Sequence, residues 1–237
     1  MLSRELGIFL ISSSLITILI FLALLFPPPW LISILSSRIC PDAVYFGKTN
    51  KRIIALTIDD SPDVNTTSKI LDVLNKYQIT ATFFPISNNI QGQEAIIQRM
   101  VREGHEIGNH LTKDEPSINL GKNFATEFQK ADKVLSDFTT INWLRPGGGW
   151  CNQEMVEIAR KNNYKIALGS VWSYDTHINY SQFASWFILK NTRPGSIIVL
   201  HDIEDRGIRT IATLETIIPS LQAKGYQFVT LSELIDN

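Results

Sequence analysis

Short apolar runs alternate with segments of helical periodicity from residue 52 onward. The runs predict strands at 53–58, 80–86, 105–109, 164–168, 196–200 and 226–230. Apolar residues recur every three or four positions between most of these runs, which predicts helices at 70–77, 94–103, 124–138, 153–163, 181–191 and 208–224. Strand and helix alternation of this kind predicts an α/β chain whose parallel strands are joined by right-handed crossovers. Both a barrel and an open doubly wound sheet fit the alternation.

The amino-terminal part follows a different pattern, because residues 7–26 contain no charged side chain. A helix of this length is about 30 Å long, which matches the hydrocarbon core of a bilayer. The sequence therefore predicts a membrane anchor at 1–26, with a cleaved signal peptide and a buried hairpin helix as alternatives. Residues 27–50 are predicted to form a linker with an amphipathic segment, and 51–237 a globular domain. We expect this domain to be extracytoplasmic, although the flanking basic residues do not fix the orientation.

Composition excludes several classes of protein. The 237 residues are 44% apolar, which argues against a disordered chain. The 22 basic and 23 acidic side chains nearly cancel, so the chain lacks the basic excess expected of a nucleic-acid partner. Two cysteines, Cys40 and Cys151, form one bridge or none, which leaves no cysteine-rich zinc module.

Polar side chains follow the first and third predicted strands. Asp59 and Asp60 come directly after the first strand, and His110 and Asp114 come after the third. Neighbouring carboxylates repel one another unless a cation or a proton relieves them, although Asp59 and Asp60 also suit a helix cap. An imidazole and a carboxylate four positions apart are able to converge on one metal ion. The carboxyl ends of parallel strands meet at one edge, so these loops should converge.

Arg145 stands beside three successive glycines, Gly147, Gly148 and Gly149. Glycines let the backbone approach a ligand closely and direct N–H groups towards it. A flexible loop is the alternative interpretation of this run. A phosphate-binding loop is disfavoured, because that motif requires a lysine that the run lacks.

Two further strand ends carry polar or aromatic residues. Trp172 and Asp175 follow the strand at 164–168, and His201 ends the strand at 196–200. One such histidine is more often structural than catalytic. Five such loops after successive parallel strands point to one shared site.

This constellation resembles the polysaccharide deacetylase family, also called the NodB-homology domain or carbohydrate esterase family four, over 51–235. The family motif Thr-Phe-Asp-Asp-Gly-Pro is similar to Thr-Ile-Asp-Asp-Ser-Pro at 57–62. The resemblance implies that Asp59 is the general base and that Asp60 is a metal ligand. It places another ligand at His110, whereas Asp114 stands where the family has a second histidine.

The remaining motifs are similar at the other strand ends. The resemblance implies that Arg145 pairs with Asp175 behind the catalytic base and that Trp172 lies near the substrate. It makes His201 the general acid, and it puts Gly148 where an aromatic residue is usual. The implied fold is an irregular barrel of about seven βα units.

The implied activity is metal-dependent removal of acetyl groups from N-acetylated sugars of a polysaccharide or glycan such as chitin or peptidoglycan. One divalent ion would be held by Asp60, His110 and Asp114. Zinc is the first choice, and the additional carboxylate makes manganese, cobalt and iron alternatives. Backbone N–H groups of the glycine run would help to hold the oxyanion. The alternative is a non-catalytic glycan-binding module on the same fold, since Asp114 departs from the family motif.

Overall fold

The structure is a computed structural model that describes residues 14–23, 31, 40 and 42–236. Residues 14–23 are helical, and nearly all of their side chains are exposed. Within the described parts of the chain, no helix combines the length and the apolar character needed to cross a bilayer. The other half of the predicted span at 7–26, and most of the predicted linker before residue 40, lie outside the described residues.

Eight strands and seven helices form the part of the chain from residue 42 to residue 236. The strands are β1 (Ile53–Asp59), β2 (Thr82–Phe84), β3 (Glu106–Ile107), β4 (Trp143–Leu144), β5 (Lys165–Ile166), β6 (Val171–Trp172), β7 (Ile197–His201) and β8 (Gln227–Val229). The helices are α1 (Thr67–Lys76), α2 (Glu94–Arg102), α3 (Phe124–Leu135), α4 (Gln153–Lys161), α5 (Ser181–Asn191), α6 (Glu204–Ala223) and α7 (Leu231–Asp236). Short 3₁₀ turns lie at Ser87–Asn89, Ser117–Asn123 and Gly147–Gly149.

The strands pair in parallel, which confirms the predicted α/β class. Six of them form a sheet in the order β3-β2-β1-β7-β6, with β8 also paired to β1, while β4 and β5 form a second sheet. An isolated bridge between Asn109 and Leu144 connects the two sheets. The resemblance implies an irregular barrel of about seven βα units. In the described residues, the strands form one six-stranded and one two-stranded sheet, and isolated bridges connect them.

β1 lies at the centre of the larger sheet and is buried along its whole length. A strand that is covered on both faces requires a continuous apolar run, which explains the sequence Ile-Ile-Ala-Leu-Thr-Ile at 53–58. In register, its last residue, Asp59, lies between Phe84 of β2 and His201 of β7. The central pairing thus carries Asp59 and His201 to the same edge of the sheet.

Part of the predicted linker is joined to the domain. Cys40 and Cys151 form a disulfide with their Cα atoms 5.0 Å apart. Val44 pairs with Ala167, which follows β5, and the Gly47 N–H donates to the Gly195 carbonyl 2.8 Å away. Residues 40 and 44–47 therefore contribute to the folded domain, ahead of the boundary predicted at 51.

Candidate active site

The end of β1 holds two consecutive buried carboxylates that face different partners. Asp59 is 2% exposed, and its Oδ1 accepts a hydrogen bond from Arg145 Nη1 at 2.7 Å. Asp60 is 1% exposed and has a φ of 71°, in the left-handed region that few residues other than glycine adopt. Its N–H donates to the carbonyl of Phe84 in β2 at 3.2 Å. This backbone turn separates the environments of two carboxylates that are adjacent in sequence.

Arg145 is fixed behind Asp59 by several directed contacts. Its Nη1 also donates to Thr57 Oγ1 at 2.8 Å, and its Nε donates to the Ala167 carbonyl at 3.0 Å. The guanidinium carbon lies 4.1 Å from the centroid of the Phe84 ring. A planar guanidinium makes these contacts in several directions at once, whereas an ammonium group has no such fork. Arg145 therefore holds one oxygen of Asp59 in place.

His110 presents one ring nitrogen to Asp60. Its Nδ1 lies 2.6 Å from the Arg145 carbonyl, which only accepts hydrogen bonds, so the proton is assigned to Nδ1. The other ring nitrogen, Nε2, then faces Asp60 Oδ1 at 3.5 Å. That carboxylate oxygen is buried and has no hydrogen-bond partner. Metal-binding histidines commonly have this arrangement, with the second ring nitrogen donating to a carbonyl.

The electrostatic environment of Asp60 also fits a cation. Burial raises the pKa of Asp60, and the charges of Asp59 and Asp114 add to the rise, while His110 and His201 oppose it. A divalent cation at the Asp60 and His110 pair would stabilise the ionised carboxylate and satisfy both facing atoms. The donors present therefore fit a divalent metal ion.

Asp114 lies at the surface and contacts an arginine that the sequence analysis missed. Its Oδ2 is 3.4 Å from Arg206 Nη2, and Arg206 Nη1 is 3.1 Å from Asp60 Oδ2. Across residues 14–23, 31, 40 and 42–236, no three His, Cys, Asp or Glu side chains form a group able to hold a metal. The structure thus brings Asp60 and His110 together but leaves Asp114 on the far side of Arg206. The first turn of α6 contains Arg206, and its sequence position gives no sign of this contact.

His201 is held by Asp175 on the opposite side of the site. His201 Nδ1 lies 3.0 Å from Asp175 Oδ1 and 3.1 Å from Oδ2, and the backbone N–H of His201 donates to Oδ2 at 3.0 Å. Ser173 Oγ donates to Asp175 Oδ1 at 2.7 Å. The expected pairing of Asp175 with Arg145 is wrong. Asp175 follows β6, which pairs with β7, so its side chain meets the end of β7, whereas Arg145 reaches β1.

This contact controls the protonation of His201. Burial lowers the pKa of His201, but the charge and hydrogen bond of Asp175, together with the charges of Asp59 and Asp60, raise it overall to about 9. Burial alone would raise the pKa of Asp175, yet the charge of His201 and the hydrogen bonds to it and to Ser173 hold it below its ordinary value. At neutral pH, His201 is an imidazolium and Asp175 a carboxylate.

The backbone of the glycine run is largely occupied by bonds within the fold. The Gly147 N–H donates to Ser117 Oγ at 2.7 Å, and the Gly149 N–H donates to the Pro146 carbonyl at 3.4 Å. A Cβ on Gly147 would lie 2.2 Å from the Glu115 carbonyl oxygen. These contacts turn two of the three candidate oxyanion donors towards the protein.

Backbone conformation explains the glycines at 148 and 149, and close packing adds a second reason at 149. Gly148 has a φ of 76° and Gly149 a φ of 70°, both in the left-handed region. A Cβ on Gly149 would lie 3.0 Å from the Trp172 ring, so the loop lies directly against this indole. The structure thus places Trp172 beside the glycine loop, at the same edge of the sheet as His201.

Comparisons with known proteins give the context of this site. The family model for polysaccharide deacetylase matches residues 46–167. The chain is 33% identical to a peptidoglycan-N-acetylglucosamine deacetylase of Bacillus cereus, over 78% of this chain and 89% of that protein. The fold is similar to the crystal structure of a peptidoglycan N-acetylglucosamine deacetylase in complex with an N-oxidanyl-benzamide, with a TM-score of 0.76, 30% identity and coverage of 81% and 92%. It is also similar to a family 4 acetyl xylan esterase from Clostridium thermocellum in complex with a cobalt ion, with a TM-score of 0.70, 32% identity and coverage of 77% and 89%.

Proposed function

Because the chain belongs to the polysaccharide deacetylase family of carbon–nitrogen hydrolases, we propose that it removes acetyl groups from N-acetylated sugars of peptidoglycan or a similar glycan. The products are acetate and a free amino sugar. The observation that carries this proposal is the register of β1 and β7, which sets Asp59 beside His201. A buried carboxylate and an imidazolium at one sheet edge supply the base and the acid that amide hydrolysis requires.

Asp59 is the proposed general base. An amide is a poor electrophile, so the attacking water must lose a proton as it attacks. Arg145 engages Oδ1 of Asp59 at 2.7 Å, and we assign uptake of the water proton to Oδ2. The fixed guanidinium keeps the carboxylate oriented while it changes its protonation state.

His201 is the proposed general acid. The leaving nitrogen of an amide must gain a proton before it departs as an amine. The Asp175 contact engages His201 Nδ1, which leaves Nε2 to donate this proton. The raised pKa of His201, about 9, keeps that proton available at neutral pH.

Asp60 and His110 are the residues that would hold a divalent metal ion, and Asp114 is the proposed third ligand. A bound divalent ion would lower the pKa of its water towards neutrality and polarise the carbonyl oxygen. Zinc suits the imidazole and carboxylate donors, and cobalt, manganese and iron are the alternatives. The complex of a similar esterase with a cobalt ion supports this range of metals.

The substrate is proposed to lie across Trp172 and the glycine loop. Trp150 and Tyr174, which follow this loop and β6, expose 54% and 40% of their surfaces. Exposed aromatic rings offer flat apolar surfaces to the faces of sugar rings. A polymer could therefore extend beyond the sugar that is being deacetylated.

We also propose that the domain is anchored to a membrane through 1–26 and faces the extracytoplasmic side. The charge-free stretch at 7–26 supports the anchor. The disulfide between Cys40 and Cys151 supports the location, because such bonds persist in oxidising compartments.

Acetate release from a panel of polymers tests the proposal. The full chain is purified in detergent, stripped with a chelator and assayed on peptidoglycan, chitin oligomers and acetylated xylan, with and without zinc or cobalt. We expect metal-dependent release of acetate from peptidoglycan. Release only from chitin oligomers or acetylated xylan would assign that polymer as the substrate in place of peptidoglycan. Binding of glycan without acetate release under every condition would instead identify the non-catalytic glycan-binding module.

A further inference from the structure

Arg206 places a positive charge inside the candidate metal centre. Its Nη1 lies 3.1 Å from Asp60 Oδ2 and 3.5 Å from Asp114 Oδ2, while its Nη2 lies 3.4 Å from the same Asp114 oxygen. The guanidinium therefore sits between the two carboxylates that are proposed to bind one metal ion. No other part of the proposed mechanism uses this side chain.

The burial of the three side chains differs in a way that gives Arg206 a route out of the site. The Asp60 side chain is 1% exposed, whereas those of Arg206 and Asp114 are 31% and 43% exposed. A buried carboxylate without a cation is costly, so Asp60 depends on a partner. Arg206 is attached to the first turn of α6, and its partial exposure leaves a solvent-facing side towards which the guanidinium would turn on leaving Asp60.

We propose that Arg206 is a built-in counter-cation that closes the metal site in the metal-free protein and must leave Asp60 when a divalent ion binds. This inference rests on the proposed metal site of Asp60 and His110. A guanidinium carries one charge and a divalent ion two, and the ion would also be coordinated by His110, whereas the Arg206 N–H groups are directed at Asp60 and Asp114. The ion therefore displaces Arg206, but at a reduced apparent affinity.

The consequence is a weaker apparent affinity, so that the site fills only at a higher concentration of free metal ion than it would without Arg206. Only molecules whose Arg206 has left Asp60 are competent to bind the ion, so the apparent dissociation constant exceeds the intrinsic one by the inverse of that fraction. The concentration of the metal itself therefore decides whether the site opens.

Metal affinity of the full-length chain tests this inference without reference to turnover. Zinc and cobalt are titrated against a chromophoric chelator for the wild type, Arg206→Ala and Arg206→Gln. Lys113→Ala is the matched control, because it removes one exposed positive charge beside Asp114 and leaves the Arg206 contacts intact. We expect at least tenfold tighter binding in both Arg206 variants and a change below twofold in the control.

Thermal unfolding gives a second readout, because the effect of the substitution should differ between the metal-free and the metal-bound protein. Without metal, Arg206→Gln should lower the Tm, because Asp60 loses its counter-charge. With saturating zinc, the deficit should disappear, since the ion replaces the guanidinium. A variant that folds only with metal would show the same dependence.

An unchanged or weaker metal affinity in both Arg206 variants would overturn the inference, as would an equal gain in Lys113→Ala. Absence of metal binding in all of these proteins would also overturn it. Acetate release by the wild type decides the proposed function separately. Metal binding that tightens in the variants while the wild type releases no acetate would support Arg206 as counter-cation and contradict the deacetylase assignment.

Discussion

The imidazole Nδ1 of His201 lies 3.0 Å from Asp175 Oδ1, and both side chains are anchored by the paired ends of β6 and β7. The contact links a buried carboxylate to the imidazole proposed as the general acid. It also explains why burial, which would lower the pKa of His201, is outweighed, so that the pKa rises to about 9. Asp175 is thus a positioning residue that acts through His201.

Replacing Asp175 should move the alkaline limb of the activity profile. As the proposed general acid, His201 would act in its protonated form, so the wild-type rate should fall as the pH rises through about 9. In Asp175→Asn the pKa of His201 loses its main support, and the limb should move towards lower pH, with at least a tenfold loss of rate at pH 8. Initial rates between pH 6 and 10 measure this shift. Ser173→Ala keeps the carboxylate and should shift the limb far less, whereas an unmoved limb in Asp175→Asn would refute the role of Asp175.

Arg145→Lys should be costly even though the charge is conserved. The guanidinium of Arg145 contacts Asp59, Thr57 and the Ala167 carbonyl together, and an ammonium group cannot reproduce that fork. We expect turnover to fall more than tenfold and the Tm to fall, while metal stoichiometry stays unchanged. Acetate release, calorimetry and metal analysis measure the three effects. Turnover within threefold of the wild type would show that positive charge alone is sufficient behind Asp59.

The sequence predicted those features of the site that depend on strand ends. Asp59, Asp60, His110 and His201 stand out because polar residues follow buried apolar strands, and parallel strands bring such residues to one edge. The partner of Asp175 was predicted wrongly, because which side chains meet across loops depends on long-range geometry that periodicity does not contain.

The sequence likewise predicted the long elements of the fold but not the short ones. The long apolar run of β1 and the periodic helices were recognised, whereas β4 and β6 are two residues each and too short to show a period. The helix α7 was missed, and α6 begins at Glu204 rather than 208. Arg206 lies in that missed first turn, which is one reason why its contact with Asp60 could not be anticipated.

Stability should depend on pH through a buried histidine outside the active site. Burial lowers the pKa of His105 to about 4, with Glu103 opposing and Arg99 adding to the effect. The unfolded chain takes up this proton near pH 6.5, so stability should fall as the pH drops from 6.5 to 4, by up to about 3 kcal/mol. Denaturant unfolding at several pH values measures this slope. His105→Gln should flatten it, and His177→Gln, at an exposed site, should not; equal slopes in all three proteins would exclude His105 as the cause.

Loss of the disulfide should destabilise the domain. Cys40 and Cys151 are separated by 111 residues, so their bond restricts a long loop in the unfolded chain. Cys40→Ser, Cys151→Ser and the double variant should each lose about 2–5 kcal/mol of unfolding free energy, without additivity. Denaturant unfolding with and without reductant compares them. Two free thiols in the unreduced wild-type protein would contradict the bond.

The central claim is that Asp59 takes the proton of the attacking water at a site whose metal is held by other residues. Asp59→Asn keeps the size of the side chain and an oxygen that can accept from Arg145, but it removes the proposed base. The decisive measurement is the rate of acetate release by this variant from the substrate that the wild type accepts, made on protein of verified metal content. We predict wild-type metal content and a rate at least 100-fold lower. A rate within tenfold of the wild type at equal metal content would contradict the account.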